Sequence, residues 1–368
     1  MEPIIQSLAR ELNQNERYVK NVVTLLDEGN TIPFIARYRK ELHGSMDDAV
    51  LRNLEERLQY LRNLERRREE VKGAIAGQGK LTEELSAAID AAAALSEVED
   101  LYRPYRPKRR TRATVAQERG LEPLAALLYA QKPGCPAPVE AAAGYVDPSK
   151  GLETAEDALR GAGDIIAEYI SDDASVRKAL RTFMRRHSEL VVTAAGEEDS
   201  VYRLYYDFRQ SVSRIQGHQI LAINRGEREG FLKVGVETDR SAALVLLYRA
   251  VSRPGARAAA FIRTVAAGAY DRLLYPSLER EIRSLLTDEA GEGAIRNFAL
   301  NLRSLLMQPP VRGHVTMGLD PGYRMGCKVA VVDGTGKVLD TTVVYPTHGD
   351  RKKTECINTL AAMIKKHG

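Results

Sequence analysis

Apolar residues recur at spacings of three and four from the start of the chain. Ile4, Ile5, Leu8 and Leu12 share one helical face, and Val19, Val22, Val23 and Leu26 share the next, with Gly29 as its C-terminal cap. Ser45 precedes a long helix whose stripe is Leu51, Leu54, Leu58, Leu61 and Leu64. Its other face mixes Glu55, Arg57, Glu65, Arg68 and Glu69, as a solvated face with i,i+4 pairs does. Gly77 and Gly79 interrupt the pattern, and Thr82 starts a further helix that takes in the alanine-rich stretch 87–94. Ser96 reads as the next N-cap, of a helix that must end near Pro104.

Residues 131–151 hold four prolines and three glycines and read as a flexible connection. Helical periodicity resumes over 155–186. The apolar runs 190–193, 220–223 and 232–236 read as short strands, with Gly226 and Gly230 between the last two, although periodicity alone does not separate such runs from buried helix. Helices return over 255–307, broken at Pro276. After Gly313 the character changes. Residues 315–320 form an apolar strand ending in Asp320, 327–333 a second, Gly334 to Gly336 a hairpin turn, and 337–345 a third. Asp350 caps a last helix carrying Ile357, Leu360 and Ile364. Three strands and one helix make a small sheet, so an incomplete α/β domain is expected at the C-terminal end. The expected fold is mainly α, divided into an N-terminal helical domain 1–190, a central, mostly helical region 191–312 and the α/β part 313–368.

Composition narrows the function classes without choosing one. Lys and Arg total 54 against 50 Asp and Glu, a net charge of +4, too mild to prove a polyanionic partner. Cys135, Cys327 and Cys356 form no C-x-x-C pair, and the histidines are scattered, so neither a disulfide framework nor a metal site is expected, and no cofactor. The first fifteen residues lack a long apolar core and carry Glu2, Arg10 and Glu11, so no signal peptide is read and the expected location is the cytoplasm.

Local charge is more informative. The segment 101–112 holds Arg103, Arg106, Lys108, Arg109, Arg110 and Arg112 without an acid, interleaved with Tyr102 and Tyr105, while Pro104 and Pro107 keep it extended. Guanidinium forks pair with phosphates and tyrosine faces stack on bases. The opposing reading is a solvated loop whose arginines pair with acids on neighbouring helices. A smaller cluster, Arg37, Arg39 and Lys40 beside Tyr38, reads either as a phosphate contact or as helix-surface charge. Asp320, at a strand end opposite a hairpin, is where metal-dependent nucleases place a ligand, but Asp333 and Asp340 fall at or beside turns and do not obviously converge on it.

Five stretches carry a family resemblance: TIPFIARYRKE (31–41), VEDLYRPYRPKRRTR (98–112), LAINRGE (221–227), LYPSLEREIR (274–283) and MGLDPGYRMGCK (317–328). In content and order they resemble the bacterial Tex family of transcription accessory proteins. That resemblance implies an N-terminal helical region with a helix-turn-helix element, then a YqgF-type, RNase H-like domain of which this chain holds the first three strands and first helix. It implies a non-enzymatic accessory factor that binds RNA or DNA, with RNA polymerase or other transcription proteins as further partners. It places Asp320 at the first acidic position of the related Holliday-junction resolvases, as a vestigial metal ligand whose partners are expected beyond Gly368. The alternatives are a resolvase-type nuclease in the complete protein and a protein-docking platform.

Overall fold

Helices α1 (Glu2–Glu11), α2 (Glu16–Asp27) and α3 (Ile32–Tyr38) turn their apolar faces onto the first half of α4 (Asp48–Ala76). Leu8, Val19, Val22, Ile35, Leu51 and Leu54 are fully buried in this cluster. A computed structural model describes residues 2–107, 109–197, 199–308, 313–322 and 324–368, and the chain divides into two units, 1–290 and 291–368. Between α2 and α3 lies a short turn with Gly29 at φ +84°, where a side chain would be strained.

The start of α4 follows Ser45, as expected, and its cap is Asp47. Ser45 has a left-handed φ of +60°, and the Asp47 carboxylate accepts the Val50 N–H at 2.8 Å. The helix runs for 29 residues, about 43 Å at 1.5 Å per residue. Its second half builds another cluster from Leu64, Val71 and Ile75 with Ile89 of α5 (Glu83–Ala91) and Val98 of α6 (Leu95–Tyr102). The cap of α6 differs from the one expected: Ala94 precedes α6, and Ser96 lies inside its first turn.

The main core is built around α10. Helices α7 (Arg112–Glu118), α8 (Glu122–Ala130) and α9 (Pro138–Ala143) pack on α10 (Ala155–Asp172), which buries Ile165, Ile166 and Ile170, and α11 (Ala174–His187) follows. The stretch 131–151, expected to be a flexible connection, is packed: Cys135, Ala142 and nearby Leu152 are all buried in this core. Strands β1 (Glu189–Ala194), β2 (Asp207–Ser211) and β3 (Leu232–Glu237) form an antiparallel sheet ordered β2-β1-β3. Residues 220–223, read as a strand, lie instead in α12 (Gly217–Arg228), which buries Ile220 and Ile223. Gly226 sits inside that helix because a Cβ there would come within 2.6 Å of Leu232.

Helix α13 (Arg240–Val251) leads to α14 (Ala259–Ala269), which passes through a π turn at Tyr270–Leu274 into α15 (Tyr275–Leu306). Pro276 therefore does not break the helix. It has no N–H to offer, and the wider turn before it, in which the Tyr275 N–H reaches back to the Tyr270 carbonyl, makes room for its ring.

In the second unit β4 (Thr316–Asp320), β5 (Cys327–Val332) and β6 (Val338–Val344) form an antiparallel sheet in sequence order. Helix α16 (Asp350–His367) covers one face, burying Cys356 and Met363 with Val329, Val331 and Val344. Gly349 is its N-cap, and Asp350 is the first helical residue, where its charge meets the helix dipole. The β4–β5 turn needs its glycines: a Cβ on Gly322 would lie 2.4 Å from the Gly326 carbonyl oxygen. Among the described residues, no helix is long and apolar enough to cross a membrane.

Candidate nucleic-acid interface

The arginine-rich segment begins on α6, and α6 is held by buried charge. Asp100, 5% exposed, receives Arg177 Nε at 2.6 Å and Arg181 Nη2 at 2.6 Å. Glu281 of α15 closes the cluster, accepting from Arg177 at 3.2 Å and from Arg181. Burial opposes the Arg181 charge, but the hydrogen bonds to Glu281 and Asp100 outweigh it and raise the pKa. Three helices are thus tied together where the basic segment leaves the surface of α6.

Most of that segment is spoken for. Residues Arg103–Tyr105 form a single 3-10 turn rather than extended chain; only at Arg106 (φ −65°, ψ 141°) does the backbone straighten. Arg103 Nε donates to Asp172 at 3.0 Å. Arg106 pairs with Glu99, which also takes Arg67 Nε at 2.6 Å. Burial first, and then the like charge of Arg67, lower the pKa of Arg106. The guanidinium groups of Arg67 and Arg106 lie over the Tyr102 ring, at 5.5 and 5.4 Å from its centroid. Tyr105 is half-buried against the α4–α6 cluster, and its carbonyl accepts from Gln78 at 2.9 Å. Arg110 pairs with Glu118 at 2.7 Å, both side chains largely exposed.

Two arginines are left over. Arg109 and Arg112 are exposed and have no carboxylate partner among the described residues. Lys108 lies outside the described residues. Thr111, between Arg110 and Arg112, caps α7 by accepting the Thr114 N–H at 3.1 Å, so Arg112 stands on the first turn of that helix.

The second cluster belongs to a different part of the core. Arg39 ends α3 with its guanidinium 5.2 Å from the Phe34 ring centroid, and Nη1 donates to the Tyr38 carbonyl at 3.1 Å. Arg37 lies 6.0 Å from the centroid of the Tyr38 ring, and Lys40 is exposed. Helix α3 packs on the first half of α4, whereas the 103–112 segment adjoins the second.

Asp320 is exposed on β4, opposite Lys328 on β5. Asp340 is opposite Val331, and the odd spacing from Lys328 puts it on the other face of the sheet, beneath α16, where it takes Lys366 at 2.8 Å and His367 at 3.0 Å. Asp333 is engaged in its own turn with Thr335 and Lys337. The three carboxylates do not converge.

Sequence reading missed Arg67, Asp100, Asp172, Arg177, Arg181 and Glu281, which hold α6 and the basic segment in place. Their partners are 32 to 104 residues away in sequence, and no local pattern announces a pair at that separation.

Three family models match the chain. The Tex-like protein N-terminal domain matches residues 2–76, the Tex central region-like domain residues 136–298, and the Tex protein YqgF-like domain residues 314–368. The chain belongs to the Tex family. It is 42% identical over 360 residues to the uncharacterized protein YdcI of Bacillus subtilis, covering 95% of this chain and 49% of that one. It is 39% identical to the transcriptional accessory protein Tex of Neisseria gonorrhoeae, covering 99% of this chain and 48% of that one. It is 32% identical to the human S1 RNA-binding domain-containing protein 1, covering 97% of this chain and 37% of that one. The Tex chain thus spans about half the length of the bacterial relatives it matches.

Proposed function

We propose that this Tex chain is a nucleic-acid-binding accessory module of transcription that holds its ligand by backbone phosphate and performs no chemistry itself. The observation that carries the reading is the pair Arg109 and Arg112, exposed and without a carboxylate partner among the described residues, in a segment whose other described arginines are engaged by carboxylates. Asp172 anchors the segment at Arg103, and the Thr111 cap holds its far end at the start of α7, which limits the ordering cost of binding. Phosphate contacts of this kind give affinity without reading sequence. The names of two relatives, a transcriptional accessory protein and an S1 RNA-binding domain protein, support the same reading. Within this chain Asp320 and Asp340 lie on opposite faces of the sheet and do not form a metal-binding pair with each other.

Fluorescence anisotropy with labelled single-stranded RNA and duplex DNA tests the proposal. Charge reversal at both positions, Arg109→Glu with Arg112→Glu, should weaken binding at low salt at least tenfold. It should also lower the slope of log K against log salt by about 1.4–1.8, or 0.7–0.9 per lost phosphate contact. Unchanged affinity would remove the segment from the interface.

A further inference from the structure

Two Pro-Gly turns far apart in sequence meet at one groove. The first, Lys132-Pro133-Gly134-Cys135, follows α8; the second, Arg253-Pro254-Gly255-Ala256-Arg257, separates α13 from α14. Gln131 joins them. It is 4% exposed, with a left-handed φ of +47°. Its Nε2 donates to the Val251 carbonyl at 2.8 Å, and its Oε1 accepts the Arg253 N–H at 2.9 Å. A buried side-chain amide satisfied at both ends fixes the turns against each other, so the groove is built before any ligand arrives. Its volume is about 430 Å³, and Lys132, Arg253 and Arg257 line it.

The charge in this groove is unbalanced. Residues 240–270 contain five arginines and no Asp or Glu, and 123–139 contain one lysine and no acid. Arg240 pairs with Asp271 at 2.8 Å, and Arg263 donates to Ser252 Oγ at 3.2 Å. Lys132, Arg253 and Arg257 are exposed and have no carboxylate partner among the described residues. Helix α14 begins two residues after Arg257 and has no side-chain cap, which adds the positive end of a helix dipole. Three like charges around one groove repel one another until an anion enters. Among the residues lining the groove none is aromatic, so the fit is to phosphate rather than to a stacked base.

We propose that this groove is a second phosphate-backbone site for nucleic acid, made by residues distinct from Arg109 and Arg112. It deepens the function proposed above and rests on it. The test uses the full chain with a labelled single-stranded RNA and a duplex DNA, at about 50 and about 200 mM KCl. The variant Lys132→Ala, Arg253→Ala, Arg257→Ala removes exposed side chains, and an unchanged melting temperature confirms that it folds. At the lower salt it should bind at least tenfold more weakly, and its salt slope should fall by about 2–3, three contacts at 0.7–0.9 each. If the unaltered chain binds and the triple variant stays within twofold with the same slope, the groove is excluded while the arginine segment stands. If the unaltered chain binds neither ligand at the lower salt, both proposals fall.

Discussion

At Arg177 the guanidinium is 2% exposed and shared between Asp100 and Glu281, whereas Arg109, in the same half of the chain, lies open to solvent. The first holds the scaffold and the second is free for a ligand. Removing one member of a buried ion cluster leaves the others uncompensated, so Asp100→Ala should cost about 3–5 kcal/mol. Urea unfolding checks this, and a loss below about 1 kcal/mol would mean that Glu281 alone satisfies both arginines. At this scale the basic segment was legible as composition. Its partition into engaged and free arginines was not, because Asp172 approaches Arg103 from 69 residues away, and Arg67 meets the segment through Glu99 and the Tyr102 ring.

Helices with a clear 3.6-residue stripe were legible from the sequence, as α1, α2 and α4 show. The failures have specific causes. Ile220 and Ile223 suit either a strand or a helix face, and burial against the main core selected the helix. Strand β2, DFRQS, is one of three in its sheet and was missed because it carries no apolar alternation. Pro276 was read as a break because a π turn leaves no local signature ahead of it. Asp340, the carboxylate that pins the end of α16, gives a prediction at this scale. Hydrogen bonds from Lys366, then His367, lower its pKa from 3.8 to about 2. A depressed folded-state value stabilises the docked helix above pH 3.8, and that contribution is lost as the pH falls through about 2. An NMR carboxyl titration should find the Asp340 midpoint near 2, and a midpoint near 4 would show that the contact is absent in solution.

For the whole molecule, a net charge of +4 leaves little long-range attraction for a polyanion. Affinity must come from local clusters. If Arg109, Arg112, Lys132, Arg253 and Arg257 each neutralise one phosphate, the salt slope should be about −3.5 to −4.5. A slope near −1 in the same titration would mean that most of these cations remain in water. Family membership and the mainly α architecture were readable from long motifs spread along the chain. The groove stapled by Gln131 was not, although an acid-free run of 31 residues carrying five arginines (240–270) was in plain view.

Tyr102, with two guanidinium groups over its ring, has an optical consequence. The chain contains no tryptophan. An indole placed there by Tyr102→Trp would own the long-wavelength emission of the protein outright. Its brightness would then register any ligand that draws Arg106 off the ring, reporting from inside the basic segment without an attached dye.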